Sequence, residues 1–125
     1  MRQFEIVKTG IELIAEEKTR LLSVAGRMPT GDRSDELGEI GQAARCYFRC
    51  AGPDKIAPMQ WPWDDKYWKP GNRRDNLVAS GALVRIEIER LQRFEKKINA
   101  ELDRLQQMPV AADVGEEITM DNVTV

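Results

Sequence analysis

The chain has 125 residues, close to one domain on a prior of ~100–200 residues each. Its 42% hydrophobic and 32% charged residues are the mix of a water-soluble globular protein, not of a fibrous or disulfide-rich one. The formal net charge is −2 and there is no histidine, which excludes histidine-activated nucleophiles and most zinc sites and argues against duplex DNA as a partner.

Residues 2–25 read as a first helix. Phe4, Val7, Ile11, Ile14, Leu21 and Ala25 recur at spacings of three and four and form one stripe. Lys18 interrupts the stripe, and Gly10 weakens the helix by ~1 kcal/mol relative to alanine. Two glycines and a proline break the chain over residues 26–33.

A second helix is expected over about 34–50. Ser34 serves as N-cap, with Asp35 and Glu36 in the first turn where carboxylates favour the helix dipole. Leu37, Ile40, Ala44, Tyr47 and Phe48 supply its apolar face. Cys46 and Cys50 lie four apart on one face and read as two reduced thiols, since no further ligands stand at zinc-site spacing.

Residues 51–72 hold Pro53, Pro58, Pro62 and Pro70, together with Trp61, Trp63, Trp68 and Tyr67. The prolines exclude a long helix or central strand. A connection of this length is functional or disordered as a rule, and tryptophans carry too much apolar surface for disorder.

A third helix is expected from about residue 72 to 107. Leu77, Gly81, Val84, Ile88, Leu91, Glu95, Ile98, Leu102 and Leu105 alternate by four and three, a heptad seam flawed at Gly81 and Glu95. Its front, which also carries Val78, Ala82, Leu83 and Ile86, is expected to pack on the first two helices. Its rear, through Leu91, Ile98, Leu102 and Leu105, is expected to pack either on the first helix or on a second copy of the chain in a homo-oligomer. Residues 108–125 hold four acidic and no basic side chains and read as a flexible tail or a short β hairpin. The expectation is an all-α, three-helix domain over residues 1–107 with a long C-terminal helix, a long Trp/Pro-rich loop and an acidic tail.

The loop is the first candidate for chemistry. Trp61, Trp63, Tyr67, Trp68, Lys69, Arg73 and Arg74 fall within fourteen positions. Rings stack on bases, and lysine or arginine holds phosphate. The loop also runs into a helix N-terminus, where unpaired N–H groups attract anions. The same residues suit a protein interface, and they suit a purely structural role, with tryptophans capping a thin core.

Glu36 and Glu39, three apart on the second helix, are a second candidate. Carboxylates on facing helices hold Mg²⁺ in all-α nucleoside triphosphate pyrophosphohydrolases of the MazG type. The Glu36-x-x-Glu39 pair matches part of that pattern, and no Glu-x-x-Asp follows on the front of the third helix. Mg²⁺ is expected only under this enzyme alternative.

Glu36-Leu37, Gln42-Ala43-Ala44-Arg45-Cys46-Tyr47, Trp61-Pro62-Trp63, Trp68-Lys69-Pro70, Arg73-Arg74-Asp75-Asn76-Leu77-Val78 and Gly81-Ala82-Leu83-Val84 through Leu91 occur in that order. This series resembles a family of small phage and prophage proteins with the pattern GELxxAAxxY, WPW, WWKP and RRxLVKAGALIxAEIERL, over roughly residues 15–93. Members show Glu-Gly-Trp where this chain has Ala25-Gly26-Arg27. The resemblance implies a phage product acting in a bacterial cytoplasm, where small accessory proteins counter host defence. The expected function is therefore non-enzymatic binding, without cofactor, of a nucleotide-type signal or a host defence protein through the loop. The alternatives are the Mg²⁺-dependent hydrolase and an assembly protein that oligomerises through the long helix. No run approaches the ~20 apolar residues that cross a bilayer, so no membrane partner is expected.

Overall fold

The computed structural model describes residues 8–23, 28–30 and 38–109. Among the described residues it is an all-α fold of three helices: α1 (Gly10–Leu22), α2 (Glu39–Arg49) and the long α3 (Arg73–Gln106). A single 3-10 turn, Asp65–Tyr67, lies between α2 and α3, and there is no strand among the described residues. Phe4, Val7, Ala25, Ser34, Asp35, Glu36, Leu37 and the acidic tail beyond residue 109 lie outside the described residues.

α1 starts later than expected because Thr9 is a strong cap. Its side chain accepts from the Glu12 N–H at 3.1 Å, and the Glu12 carboxylate accepts from the Thr9 N–H at 2.8 Å. This reciprocal box satisfies two N–H groups the helix would leave open. Gly10 is therefore the first helical residue and not a weak point in mid-helix. Leu21 is fully buried. Lys18, which breaks the apolar stripe, crosses to Glu89 of α3 at 2.6 Å, and Glu89 also meets Arg85 at 3.0 Å. Lys18 first, then Arg85, hold the Glu89 carboxyl below the usual carboxylate range.

α2 begins at Glu39. Gly38 caps it in the left-handed region, with φ 77°, a conformation where a side chain is strained and glycine is not. Ile40, Ala43, Ala44, Cys46 and Tyr47 are buried. Phe48 is not among them, contrary to the expected apolar face. It is exposed, with the Arg73 guanidinium 5.7 Å from its ring centroid.

The heptad seam is not the face by which α3 enters the core. The buried set is Asn76, Ala79, Ser80, Ala82, Leu83, Ile86 and Arg90, whereas Leu77, Val84, Ile88 and Leu91 remain 38–51% exposed. At ~100° per residue these two stripes lie on different sides of the helix. Small side chains decide between them. The Ser80 hydroxyl donates to the Ala44 carbonyl at 2.8 Å, an approach that Ala79 and Ala82 permit and larger residues would block. Gly81 serves the α1 contact: a Cβ there would lie 2.8 Å from Ile14 Cδ1. Gly81→Ala should change stability by less than about 1 kcal/mol, because the helix gain of ~1 kcal/mol offsets a shift of one side-chain tip. Gly81→Leu should cost roughly 2–3 kcal/mol by overpacking. Thermal melts of the two variants check the contrast.

By internal contacts the chain falls into two units, Met1–Leu91 and Gln92–Val125. The core belongs to the first. In the second, each residue from Gln92 to Pro109 is exposed, including Ile98, Leu102 and Leu105. Arg104 pairs there with Glu101 along the helix.

Candidate functional site

The loop between α2 and α3 is ordered by its own aromatic rings. Tyr47 of α2 meets Trp68 with centroids 4.8 Å apart and Trp61 at 5.7 Å. Trp61 meets Trp68 at 4.9 Å and Trp63 at 5.5 Å, the latter edge to face. Such pairs contribute ~0.5–1.5 kcal/mol each beyond the area they bury. Trp61 and Trp68 are both buried and belong to the core cluster. Their indole N–H groups donate to loop carbonyls, Trp61 to Asp64 at 3.1 Å and Trp68 to Asp54 at 2.9 Å. The Tyr47 hydroxyl accepts from the Lys69 backbone N–H at 3.0 Å. Trp63 is half-buried, and its indole nitrogen is shielded from solvent with no hydrogen-bond partner among the described residues.

The cationic end of the loop is also partly structural. Arg73 donates to the Phe48 carbonyl at 2.6 Å and the Cys50 carbonyl at 3.1 Å, closing the loop onto the end of α2. Arg74 is exposed and pairs with Asp75 at 3.1 Å. At the start of α3 the Asn72 side chain accepts from the Asp75 N–H at 2.8 Å, and Asp75 places a carboxylate in the first turn.

Two cavities flank the loop. The larger, about 390 Å³, takes Gln42, Arg45, Cys46 and Arg49 from α2 and Asp54, Ile56, Pro58, Gln60 and Trp68 from the loop. The smaller, about 230 Å³, takes Glu17 and Arg20 from α1 together with Tyr47, Lys69 and Asp75. The seven side chains singled out in the sequence therefore do not meet in one cavity. Trp68 walls the larger, Lys69 lines the smaller, Trp61 is core, and Arg73 fastens the loop. Trp63 packs on Trp61, and Tyr67 is half-buried against the core cluster. Glu39 stands at the start of α2, and no group of three or more metal-binding side chains converges among the described residues.

Arg45 and Arg49 escaped the sequence reading. The signal available was an interleaved pair, Arg45-Cys46 and Arg49-Cys50, which puts two arginines and two cysteines one helical turn apart. All four line the larger cavity, and both cysteines are free thiols. Burial pushes the Cys46 thiol up, while Arg45 and Arg49 pull it back.

Burial also pushes the Tyr47 hydroxyl up, to about 12, against the opposing pull of the Lys69 N–H and Arg20. The folded state thus resists ionisation of Tyr47 while the unfolded chain ionises near 10. The resulting stability is whole below pH 10 and is lost as pH rises from 10 to about 12, by about 3 kcal/mol at the upper end. Denaturant midpoints measured from pH 9 to 12 should fall more steeply for the native sequence than for Tyr47→Phe.

Together these features define an all-α protein whose aromatic loop is folded into the core and walls an arginine-bordered cavity. No family model matches the chain, and no match is found among curated proteins or solved structures. Among the described residues no helix is long and apolar enough to cross a membrane.

Proposed function

We propose that this chain is a non-enzymatic, phage-encoded binding protein that acts against a host defence system in the bacterial cytoplasm, with a nucleotide-type small molecule as its ligand. The observation that carries this reading is the larger cavity. Its volume of about 390 Å³ falls within the range of small-molecule sites. Trp68 is held in its wall by the Tyr47 and Trp61 rings and by the bond to Asp54, so the wall is preorganised before any ligand arrives. The resemblance to small phage proteins supplies the biological setting.

The reading includes self-association through Leu91, Ile98, Leu102 and Leu105, whose side chains are 45–57% exposed along α3. Binding of a host protein is the second reading, favoured by Ile56 and Met59, which the loop leaves 80% and 95% exposed.

Native mass spectrometry of the protein purified from bacterial cells tests both parts. The expected result is an assembly of more than one 14.3 kDa chain, with additional mass of roughly one small ligand per chain that is lost on denaturation. Bare chains with no added mass would shift the assignment to a protein target. Phosphate release from nucleotides in the presence of Mg²⁺ would replace it by the hydrolase alternative.

A further inference from the structure

The larger cavity has a charge pattern that names its ligand more closely. Arg45 and Arg49 stand one turn apart on the exposed side of α2, and both border the cavity. Among the described residues neither side chain has an ion pair or a hydrogen bond. The other arginines among the described residues of the first unit are engaged: Arg20 with Glu17, Arg73 with two carbonyls, Arg74 with Asp75, Arg85 with Glu89 and Arg90 with Glu87. Two like charges at this spacing repel slightly in an isolated helix. They are well placed to close on one multivalent anion, because guanidinium groups grip phosphate in forked pairs.

The rest of the lining is different in kind. Ile56, Ala57, Pro58 and Trp68 present apolar surface. Gln42 and Gln60 add amide donors and acceptors, and Asp54 adds a carboxylate. One oxygen of that carboxylate accepts from the Ile56 N–H at 3.1 Å, which fixes its direction. An inorganic anion would satisfy only the arginines. A bare apolar ring would leave them without a counter-charge. The carboxylate calls for a ligand that also carries hydroxyl or amino hydrogens.

From this combination we infer that Arg45 and Arg49 form a phosphate clamp for a nucleotide-class organic phosphate whose ring lies along the Trp68 wall and whose hydroxyl or amino hydrogens face Asp54. The inference rests on the small-molecule reading above and adds to it two residues from α2, outside the aromatic loop.

The test is a tryptophan-fluorescence titration with the four ribonucleoside 5′-diphosphates, the corresponding nucleosides and inorganic phosphate. The native protein is compared with Arg45→Gln/Arg49→Gln and with Arg45→Lys/Arg49→Lys. Both arginines are exposed, so the variants should keep the circular-dichroism spectrum and denaturant midpoint of the native chain. At least one diphosphate should bind more tightly than its nucleoside and than phosphate alone. The glutamine variant should weaken that diphosphate by roughly 10- to 100-fold and leave the nucleoside unchanged. The lysine variant should recover part of the loss, because lysine keeps the charge and not the fork. A diphosphate that binds the glutamine variant as tightly as the native protein overturns the clamp and leaves the binding-protein reading standing. Failure of every diphosphate to bind the native protein overturns the clamp as well, and the co-purified mass then decides the binding-protein reading separately. Phosphate binding as tightly as any diphosphate would reduce the site to a simple anion site.

Discussion

Asn76→Ala should destabilise the protein by about 3–4 kcal/mol, a large part of the ~5–15 kcal/mol available to a domain. The side chain is 1% exposed and is the knot of the loop. Its Oδ1 accepts from the Gly71 N–H at 2.7 Å. Its Nδ2 lies 3.0–3.2 Å from the carbonyls of Cys50, Gly52 and Gly71, which share its two hydrogens. Cys50 keeps another donor in Arg73, and Gly52 keeps the Asp54 N–H. Gly71 loses its partners at both ends of the residue, and unsatisfied buried backbone groups are costly. Asn76→Asp separates volume from hydrogen bonding: it preserves the size and the acceptor but has no N–H to offer the surrounding carbonyls. It should be at least as destabilising as alanine near neutral pH. Denaturant midpoints at unchanged m-value check both variants.

Trp68→Ala is expected to cost about 3–5 kcal/mol, the range for removing a large aromatic side chain from a core. Trp68 touches Tyr47 and Trp61, bonds Asp54 across fourteen residues of loop, and walls the larger cavity. Its loss removes a core side chain and opens the cavity at the same time. Trp68→Phe keeps a ring and loses the donor, and should cost about 1–2 kcal/mol. Trp63→Ala should cost less than Trp68→Ala, because Trp63 is half-buried and its indole nitrogen makes no hydrogen bond that would be lost. The order Trp68 before Trp63 in denaturant midpoints is the measurable outcome. Equal losses would mean that the loop folds as a unit and that burial of the individual rings does not set their weight.

Much of this loop was legible in the sequence. Three tryptophans among four prolines announced an ordered segment without a long helix, and its ordering against Tyr47 follows from the apolar surface those rings carry. The division of labour among its residues was not legible. Spacing placed Trp68 and Lys69 side by side, yet they line different cavities, since consecutive residues of an extended segment point apart. Arg73 looked like a ligand group because charge is visible in sequence, whereas the carbonyls it meets at the end of α2 are not. Arg45 and Arg49 passed unnoticed because a surface helix carries arginines for many reasons, and only the folded loop turns their side into a cavity wall.

The sequence by itself determined the number and kind of elements. Prolines end helices through missing donors and fixed φ, and periodic apolar residues sustain three. The front carrying Ala82, Leu83 and Ile86 packs as the sequence led one to expect, and only the tertiary structure decided that the heptad seam beside it stays out of the core. The heptad seam of larger side chains stays partly exposed, and the stripe through Ala79, Ala82, Leu83 and Ile86 is buried. Hydrophobic counting favours the larger residues, but helices close on each other where side chains are small enough for a Ser80 hydroxyl to reach the Ala44 carbonyl. That fit is a property of two surfaces together, and neither helix carries it alone.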